Sequence, residues 1–599
     1  MSNKKTSWKR FQRLRLSRKA LNQRVQKIEK GTIRHAHRFV MSRLDRLSGV
    51  RRHVLSWLVL VMLLVSLSAT QWIVFRDNYS FRAPAAGGTY SEGVLGPLAT
   101  LNPLYARSNA EKSAARLLFA SLYNYDTTGH LKGDMVDRLT ISQDEMNYTV
   151  TLKRGLKWSD GVPITAKDVV FTVSLLQNPN TNSEITGWQL AKATALDDQT
   201  VRFTLAAPYA PFMHALTFPV LPQHSLADVH PSELRQHKYS QSPVTSGPFA
   251  LRLVQNAAAD GTKKIVHLVA NTYYHAGTPK LERFQLYVYP SRDDIVRGLR
   301  VSEIIATPEL MYDAQKDQAI QQNYTSQSYG VNNGVYAIFN TAASGPLQSQ
   351  KVRHALFGSV NIQALRRKLS RASEVLDGPI LPHQVEGSLP RYDKPDVAKA
   401  KRLLDEDGWT LQNNQRRKGN DALKLSLVAL KGHTYEEAAQ YLAAVWRQAL
   451  NVEVDIRVVD PADTSQDILQ TVLQPRQFDV LVYEFVLGGD PDVYAYWHSS
   501  EANPRGLNFA NYNSAIADEA LAGGRAKLSS KQRLDKYRAF VKYWYADAPA
   551  IPLYQAKIDY IHLPSAQTIA PSARLVSPTD RYANVLHWTI RSAPVYKTP

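Results

Sequence analysis

The sequence predicts an α/β protein preceded by one membrane-spanning helix. Three observations predict it. Strand and helix patterns alternate over most of the 599 residues, a length sufficient for several domains. Val54 to Phe75 is a run of 22 residues without a formal charge. Basic residues crowd ahead of that run: residues 1–53 have a net charge of +15, while the rest of the chain accounts for only +6 of the total of +21. The basic character therefore belongs to a tail, and a nucleic-acid-binding body is not supported.

Within the tail, Trp8, Phe11, Leu14, Leu21, Val25 and Ile28 recur at roughly helical spacing among Lys and Arg. A basic helix lying on an anionic membrane surface and a solvated basic tail both fit this pattern, and RNA binding is a third option. As a helix, residues 54–75 span about 33 Å, enough for a hydrocarbon core of about 30 Å. The charge asymmetry places the tail in the cytoplasm and everything after Arg76 outside. A cleaved signal peptide competes with an anchor, because Ser66-Leu67-Ser68 offers small residues. Yet the apolar run continues through Trp72 to Phe75, and the segment before it is longer than an ordinary n-region. An uncleaved anchor in the lipid bilayer is expected, giving a single-pass cell-membrane protein. Pro84, Gly87 and Gly88 mark residues 76–87 as a linker.

The body is organised around Tyr148 to Leu176. Tyr148, Val150 and Leu152 alternate with polar residues as in a half-buried strand. Arg154-Gly155 and Ser159-Asp160-Gly161 are turn signals. Thr165 then caps a helix, with Asp168 closing a capping box, and Ala166, Val169, Val170, Val173 and Leu176 share one face. Val201 to Leu205 alternates as another strand, and the prolines from Pro208 to Pro222 serve turns. Val266 to Tyr289 predicts two strands around a turn. Lys394 to Gly408 predicts a helix with Gly408 as its stop. Leu423–Val428, a helix from Tyr435 to Leu450, and Val452–Val458 have the spacing of a βαβ unit, hence parallel pairing.

Several of these stretches together resemble one known family. The runs LKRGLKWSDG and PITAKDVVFT, the opening GGTYSEG followed by ATLNPLYA, the segment SPVTSGPF, and NTYYHAGTPK occur in the order found in the family 5 extracellular solute-binding proteins, the oligopeptide and dipeptide type of ABC-importer receptors. The resemblance covers nearly all of residues 88–590. Departures are Asn102 where Asp is common, Ser246 where Gly or Thr is commoner, Val301–Ile305 in place of Gly-Glu-Ile-Asp, and Asn361 in place of Asp. The resemblance implies a periplasmic-binding-protein type II-like fold, with two lobes around a cleft plus an extra domain. It implies lobe I from residues 88–130 with 243–340 and 555–599, domain II from 131–242, and domain III from 341–554. It places Gly247 at a hinge. The lipid-modified cysteine used as an anchor by many members is missing, since the chain has no cysteine, which leaves the task to residues 54–75.

Enzyme motifs are absent: there is no HExxH, no GxSxG and no GxxxxGK[ST]. Disulfides, thiolate metal sites and a cysteine nucleophile are excluded, and the 16 histidines show no ligand spacing. No catalytic residue, metal ligand or cofactor is expected. The candidate ligand site is Phe478 to Trp497, where an apolar strand ends at Tyr483-Glu484 and is followed by Asp490-Pro491-Asp492 and then Tyr494 and Trp497. Loops at strand ends carry binding sites in α/β folds. The alternative is that Asp490 and Asp492 only cap the short helix after them. By resemblance this segment faces the cleft, and Tyr483, Glu484, Asp490, Asp492, Tyr494, Trp497, Tyr123 and Asn340 form the expected ligand set, with Phe339 nearby. Peptide-binding relatives often place an acidic residue a few positions before the Asp-Pro, where this chain has Val486-Leu487-Gly488-Gly489. A buried ammonium without a counter-charge is costly. Either Glu484, Asp490 or Asp492 substitutes, or the ligand is not held through an α-amine. The expectation is a monomeric, anchored receptor that hands peptides to ABC permease subunits. Alternatives are a receptor for an oligosaccharide, a metal complex or haem, and an anchored sensor or adhesin.

Overall fold

The computed structural model describes residues 51–596, apart from 259–260, 311–316, 343–344, 370–372, 386–387, 392–393, 461–466 and 527–528. Residues 1–50 of the basic tail, for which a membrane-surface helix, a solvated tail and RNA binding are all open, lie outside the described residues. The described residues fall into two compact units, one within residues 51–83 and 593–596 and the other within 84–592.

In the first unit one helix, Arg51–Tyr79, includes the apolar span. His53–Phe75 has a mean hydropathy of 2.2 and none of it is buried, so its apolar surface is not covered by a protein core. Within it Thr70 Oγ1 donates to the Ser66 carbonyl at 2.8 Å, which satisfies a hydroxyl that lipid would leave unpaired. The segment expected as a short linker, residues 76–87, contains regular structure. The helix continues to Tyr79, and Ser80–Ala85 pairs as a strand with Arg591–Tyr596.

The second unit is built on one ten-stranded sheet. In spatial order its strands are Glu453–Val459, Lys424–Leu430, Val480–Val486, Thr325–Phe339, Ala550–His562, Ala306–Thr307, Thr89–Leu95, Arg283–Tyr289, Lys264–Ala270 and Phe249–Asn256. The predicted βαβ unit is present: Lys424–Leu430 and Glu453–Val459 are parallel, joined by the helix His433–Leu450. A separate four-stranded antiparallel sheet includes Asn147–Leu152, whose alternate residues are buried, and Thr200–Leu205.

Among the described residues two large hydrophobic cores lie along the large sheet, beside a smaller third cluster around Ile295, Ile304 and Ile561. One is drawn from residues 90–331 and 558–588 and the other from 335–554. The chain passes between them on its two longest strands, Thr325–Phe339 and Ala550–His562, which pair antiparallel from Thr325–His562 to Ile338–Ala550. Their register breaks between Gly330 and Gly334, at the boundary of the cores. There the backbone bonds elsewhere: Asn332 N–H donates to the Val576 carbonyl at 3.2 Å, and Leu487 N–H donates to the Asn332 carbonyl at 2.7 Å.

Local signals at the start of the helix Ala166–Gln177 hold. Thr165 accepts from the Lys167 amide, Asp168 accepts from the Thr165 amide at 2.8 Å, and Ala166, Val169, Val173 and Leu176 are buried. Asp168 is bound further, accepting from the Gln223 amide at 2.8 Å, so the cap also ties down a remote loop. Thr165→Ala is expected to lower stability by about 1 kcal/mol, the usual cost of losing an N-cap, and Asp168→Ala by more. Thermal unfolding of the two variants measures the difference.

Candidate functional site

The site is built where the two cores meet. Strand Val480–Val486 pairs antiparallel with the inner half of Thr325–Phe339, and the loop after it, residues 487–493, reaches the crossover. Asn332 and Gln384 fasten this loop. Asn332 Nδ2 donates to the Gly488 carbonyl at 2.7 Å and Gln384 Nε2 donates to the same oxygen at 2.9 Å. His383 Nε2 lies 3.1 Å from Asn332 Oδ1, which fixes the amide.

Side chains carried by the first core close on this loop. A Cβ on Gly489 would stand only 2.4 Å from the Tyr125 ring. The Tyr125 hydroxyl bonds His214 Nδ1 at 2.7 Å, and His214 Nε2 lies 3.7 Å from Asp490 Oδ2. Ala210 N–H donates to the Arg525 carbonyl at 2.8 Å, and the Arg525 guanidinium lies 5.3 Å from the Tyr209 ring centre. Segments 123–125 and 209–214 of one core thus grip Gly489, Asp490 and Arg525 of the other.

The expected ligand residues fall into distinct places. Asp490, 9% exposed, accepts from Arg533 Nη1 at 2.8 Å and Nη2 at 2.5 Å, and also from the Asp492 amide. Asp492 accepts from Arg525 Nε at 2.9 Å and from the Tyr494 amide at 3.2 Å. Each carboxylate thus accepts an amide two residues on, as in an Asx turn, and is paired with an arginine, while the N-cap of the short helix after them is Val493, which makes no side-chain capping bond. Burial alone disfavours both guanidinium charges, but Asp490 and Asp492 outweigh it, and Arg533 and Arg525 are held above the ordinary arginine range. Tyr494 stacks under Arg525 at 3.9 Å. Burial and the Asp492 charge push Tyr209 up to about 12.

Tyr483 and Glu484 are adjacent on a strand and so point to opposite faces of the sheet. Tyr483 meets Phe485 and Phe509 edge-on. Glu484 accepts from Asn333 Nδ2 at 2.6 Å and from the Tyr435 hydroxyl on the covering helix. Trp497 is fully enclosed in the second core against Tyr336, Phe485 and Trp544. Asn340 is 4% exposed; its Nδ2 donates to the carbonyls of Arg476 and Phe478, both at 3.2 Å, and its Oδ1 accepts from Asn511. Phe339 is buried beside it. Tyr123 is 7% exposed in the first core, and its amide donates to the Leu216 carbonyl. Gly247 lies in the first core, where an added Cβ would stand 2.6 Å from backbone atoms of Leu118 and Phe119. Two chain segments pack closely at that position.

Of the expected set, then, Asp490, Asp492 and Tyr494 stand together at the meeting of the cores. Tyr125, Tyr209, His214, Arg525, Arg533, Asn332 and Gln384 were not among the expected residues. No spacing rule links Asp490 to Arg533 or to His214, because each is brought in by a different element. Grooves of about 460 and 430 Å³ that share Pro390 and Lys542 lie on the second core and touch none of these residues. Among the described residues no group of His, Asp and Glu is arranged to hold a metal ion.

Comparisons with known proteins agree with this architecture. The model of the bacterial extracellular solute-binding proteins, family 5 middle region, matches residues 130–506. Protein XP55 of Streptomyces lividans is 28% identical over 478 residues, which are 76% of this chain and 81% of that protein. Oligopeptide-binding protein AppA of Bacillus subtilis is 24% identical over 528 residues, 83% of this chain and 92% of that one. Among solved structures, NikZ from Campylobacter jejuni in complex with Ni(L-His) superposes with a TM-score of 0.68 at 23% identity, over 84% of this chain and 99% of that one. The Bacillus subtilis AppA structure with a nonapeptide gives 0.66 at 21% identity, over 85% and 100%. At these identities the structural matches speak to the fold.

Proposed function

The chain belongs to the family 5 extracellular solute-binding proteins, a family of non-enzymatic receptors associated with ABC transporters, and on that premise we propose that it captures peptides by closing its two cores on them and delivers them to an ABC importer. The helix Arg51–Tyr79 serves as the anchor in this reading, with the body on the outer side of the membrane. The single observation that supports it best is the convergence of both cores on residues 488–492. A ligand held there is contacted from both sides only when the cores are together, and that difference in contacts is what favours closure. Main-chain hydrogen bonds from the loop and the adjacent strand would supply affinity with little dependence on peptide sequence.

One observation favours a second reading, a solute without a free α-ammonium. Asp490 and Asp492 are already charge-paired with Arg533 and Arg525 of this chain, so neither offers an uncompensated charge to an ammonium group. Thermal shift of the full chain in detergent separates the two. A peptide library at a hundredfold excess over Kd is expected to stabilise it by about 2.7 kcal/mol, with N-acetylated members as good as free ones. Stabilisation by a metal chelate or an oligosaccharide and by no peptide would sink the peptide reading and keep the receptor. Mass spectrometry of the solute that co-purifies identifies it directly.

A further inference from the structure

His214 occupies a position that ligand capture alone does not explain. It sits on the short helix Phe212–Ala215 of the first core, yet its neighbours belong to both. On its own side Nδ1 bonds the Tyr125 hydroxyl at 2.7 Å. Across the interface Nε2 faces the Asp490 carboxylate at 3.7 Å, and that carboxylate is already taken by Arg533. The Tyr125 ring lies against Gly489 of the second core. In the neutral ring with its proton on Nε2, toward Asp490, Nδ1 accepts from the Tyr125 hydroxyl. A second proton, on Nδ1, would take that acceptor away. It would also set a second cation beside Arg533, with only one carboxylate between them.

We propose that His214 is the positioning residue that gates closure: its neutral ring completes the contact between the cores, and protonating it drives them apart. The inference rests on closure of the two cores, as in the reading above, and is independent of which solute is bound. The charged and titratable groups facing this contact are Asp490 and Arg533, with Tyr125 on the same side and Asp580 behind it. Burial lowers the imidazole below its ordinary range in the closed arrangement; Asp490 pulls it up and Arg533 pushes it down. Opening exposes the ring and returns it toward about 6.5. The closed state, in which the proton binds more weakly, is therefore at full strength above that value. It weakens as pH falls through that value toward the closed-state one. Solute would be held at neutral pH and released in an acidic exterior.

The chain has no cysteine, so Lys192→Cys and Lys401→Cys, at exposed positions on the two cores, can carry spin labels on the full chain in lipid nanodiscs. Pulsed dipolar spectroscopy at about pH 7.5 and about pH 5.5 reads the ratio of short to long distances. The expected result is a fall in that ratio of at most about tenfold on acidification, the limit for one group titrating near 6.5. His214→Gln, which keeps an acceptor for Tyr125 without a titratable ring, is expected to hold the ratio constant. Tyr125→Phe, a second route that leaves His214 in place, is expected to reduce the response. An equal response in His214→Gln overturns the proposal, as does a native ratio that does not change with pH. A single distance under every condition overturns the two-core closure on which it rests.

Discussion

Gly489→Ala is expected to weaken ligand binding by about ten- to a hundredfold while leaving the melting temperature of the unliganded chain nearly unchanged. The glycine lies in the loop after Val480–Val486, and its backbone is outside the left-handed region, so alanine brings no strain of its own. The obstacle is the Tyr125 ring, three atoms of which would lie 2.4 to 2.6 Å from the new methyl group. Tyr125 can swing aside only by giving up His214. Overpacking of this kind costs about 1–3 kcal/mol, and each 1.4 kcal/mol is about tenfold in binding. Because the two residues belong to different cores, the cost falls on the closed state and not on the folding of either part. Isothermal titration with a captured solute measures it. The double variant Gly489→Ala with Tyr125→Ala is expected to bind better than the two single losses add up to, because the clash is gone. Additive losses would mean that these residues do not meet in the liganded protein.

Arg581→Met is expected to destabilise the fold by about 3–5 kcal/mol, several times the loss expected for Thr165→Ala. Glu92 is completely buried on strand Thr89–Leu95, and Arg581 is 2% exposed. Arg581 Nη2 donates to Glu92 Oε1 at 2.7 Å and to Ser113 Oγ at 2.8 Å. The hydroxyls of Tyr560 and Tyr582 donate to the same carboxylate, and Tyr90 bonds Tyr560 at 2.6 Å. Three segments far apart in the chain, around residues 92, 560 and 581–582, thereby meet at one carboxylate, and Ser113 joins them through Arg581. Removing the arginine leaves an uncompensated charge with no access to water, and this accounts for most of the loss. Adding Glu92→Leu is expected to recover part of it, since the unpaired charge is then absent, although the tyrosine hydroxyls lose their acceptor. Thermal unfolding of the single and double variants tests this; a double variant less stable than Arg581→Met would show that the hydroxyl network outweighs the charge.

Much of the fold was legible because its causes are local. The capping box at Thr165 and Asp168 lies within four residues, and the alternation of Tyr148, Val150 and Leu152 lies within five. The spacing of the βαβ unit, read from Leu423 to Val458, was enough for parallel pairing. The candidate loop was also legible, as an apolar strand ending in Gly-Gly-Asp-Pro-Asp. Its chemistry was not. Trp497 reads the same in a sequence whether an aromatic ring stacks on a solute or fills a core, and here it is enclosed by Tyr336, Phe485 and Trp544. Asp490 and Asp492 read equally as ligand-binding carboxylates or as caps, and nothing nearby in the sequence announces Arg533 and Arg525, which a helix and a helix end further along bring to them.

By itself the sequence determined the apolar span, the family and the order of strands and helices, because periodicity, capping and charge asymmetry act between residues a few positions apart. Only the tertiary structure decided that Asn332, Tyr125 and His214 converge on Gly488 to Asp490. Those contacts join segments up to several hundred residues apart through the break in register at Gly330–Gly334. A close approach between remote backbones leaves no periodic trace in either of the stretches that make it.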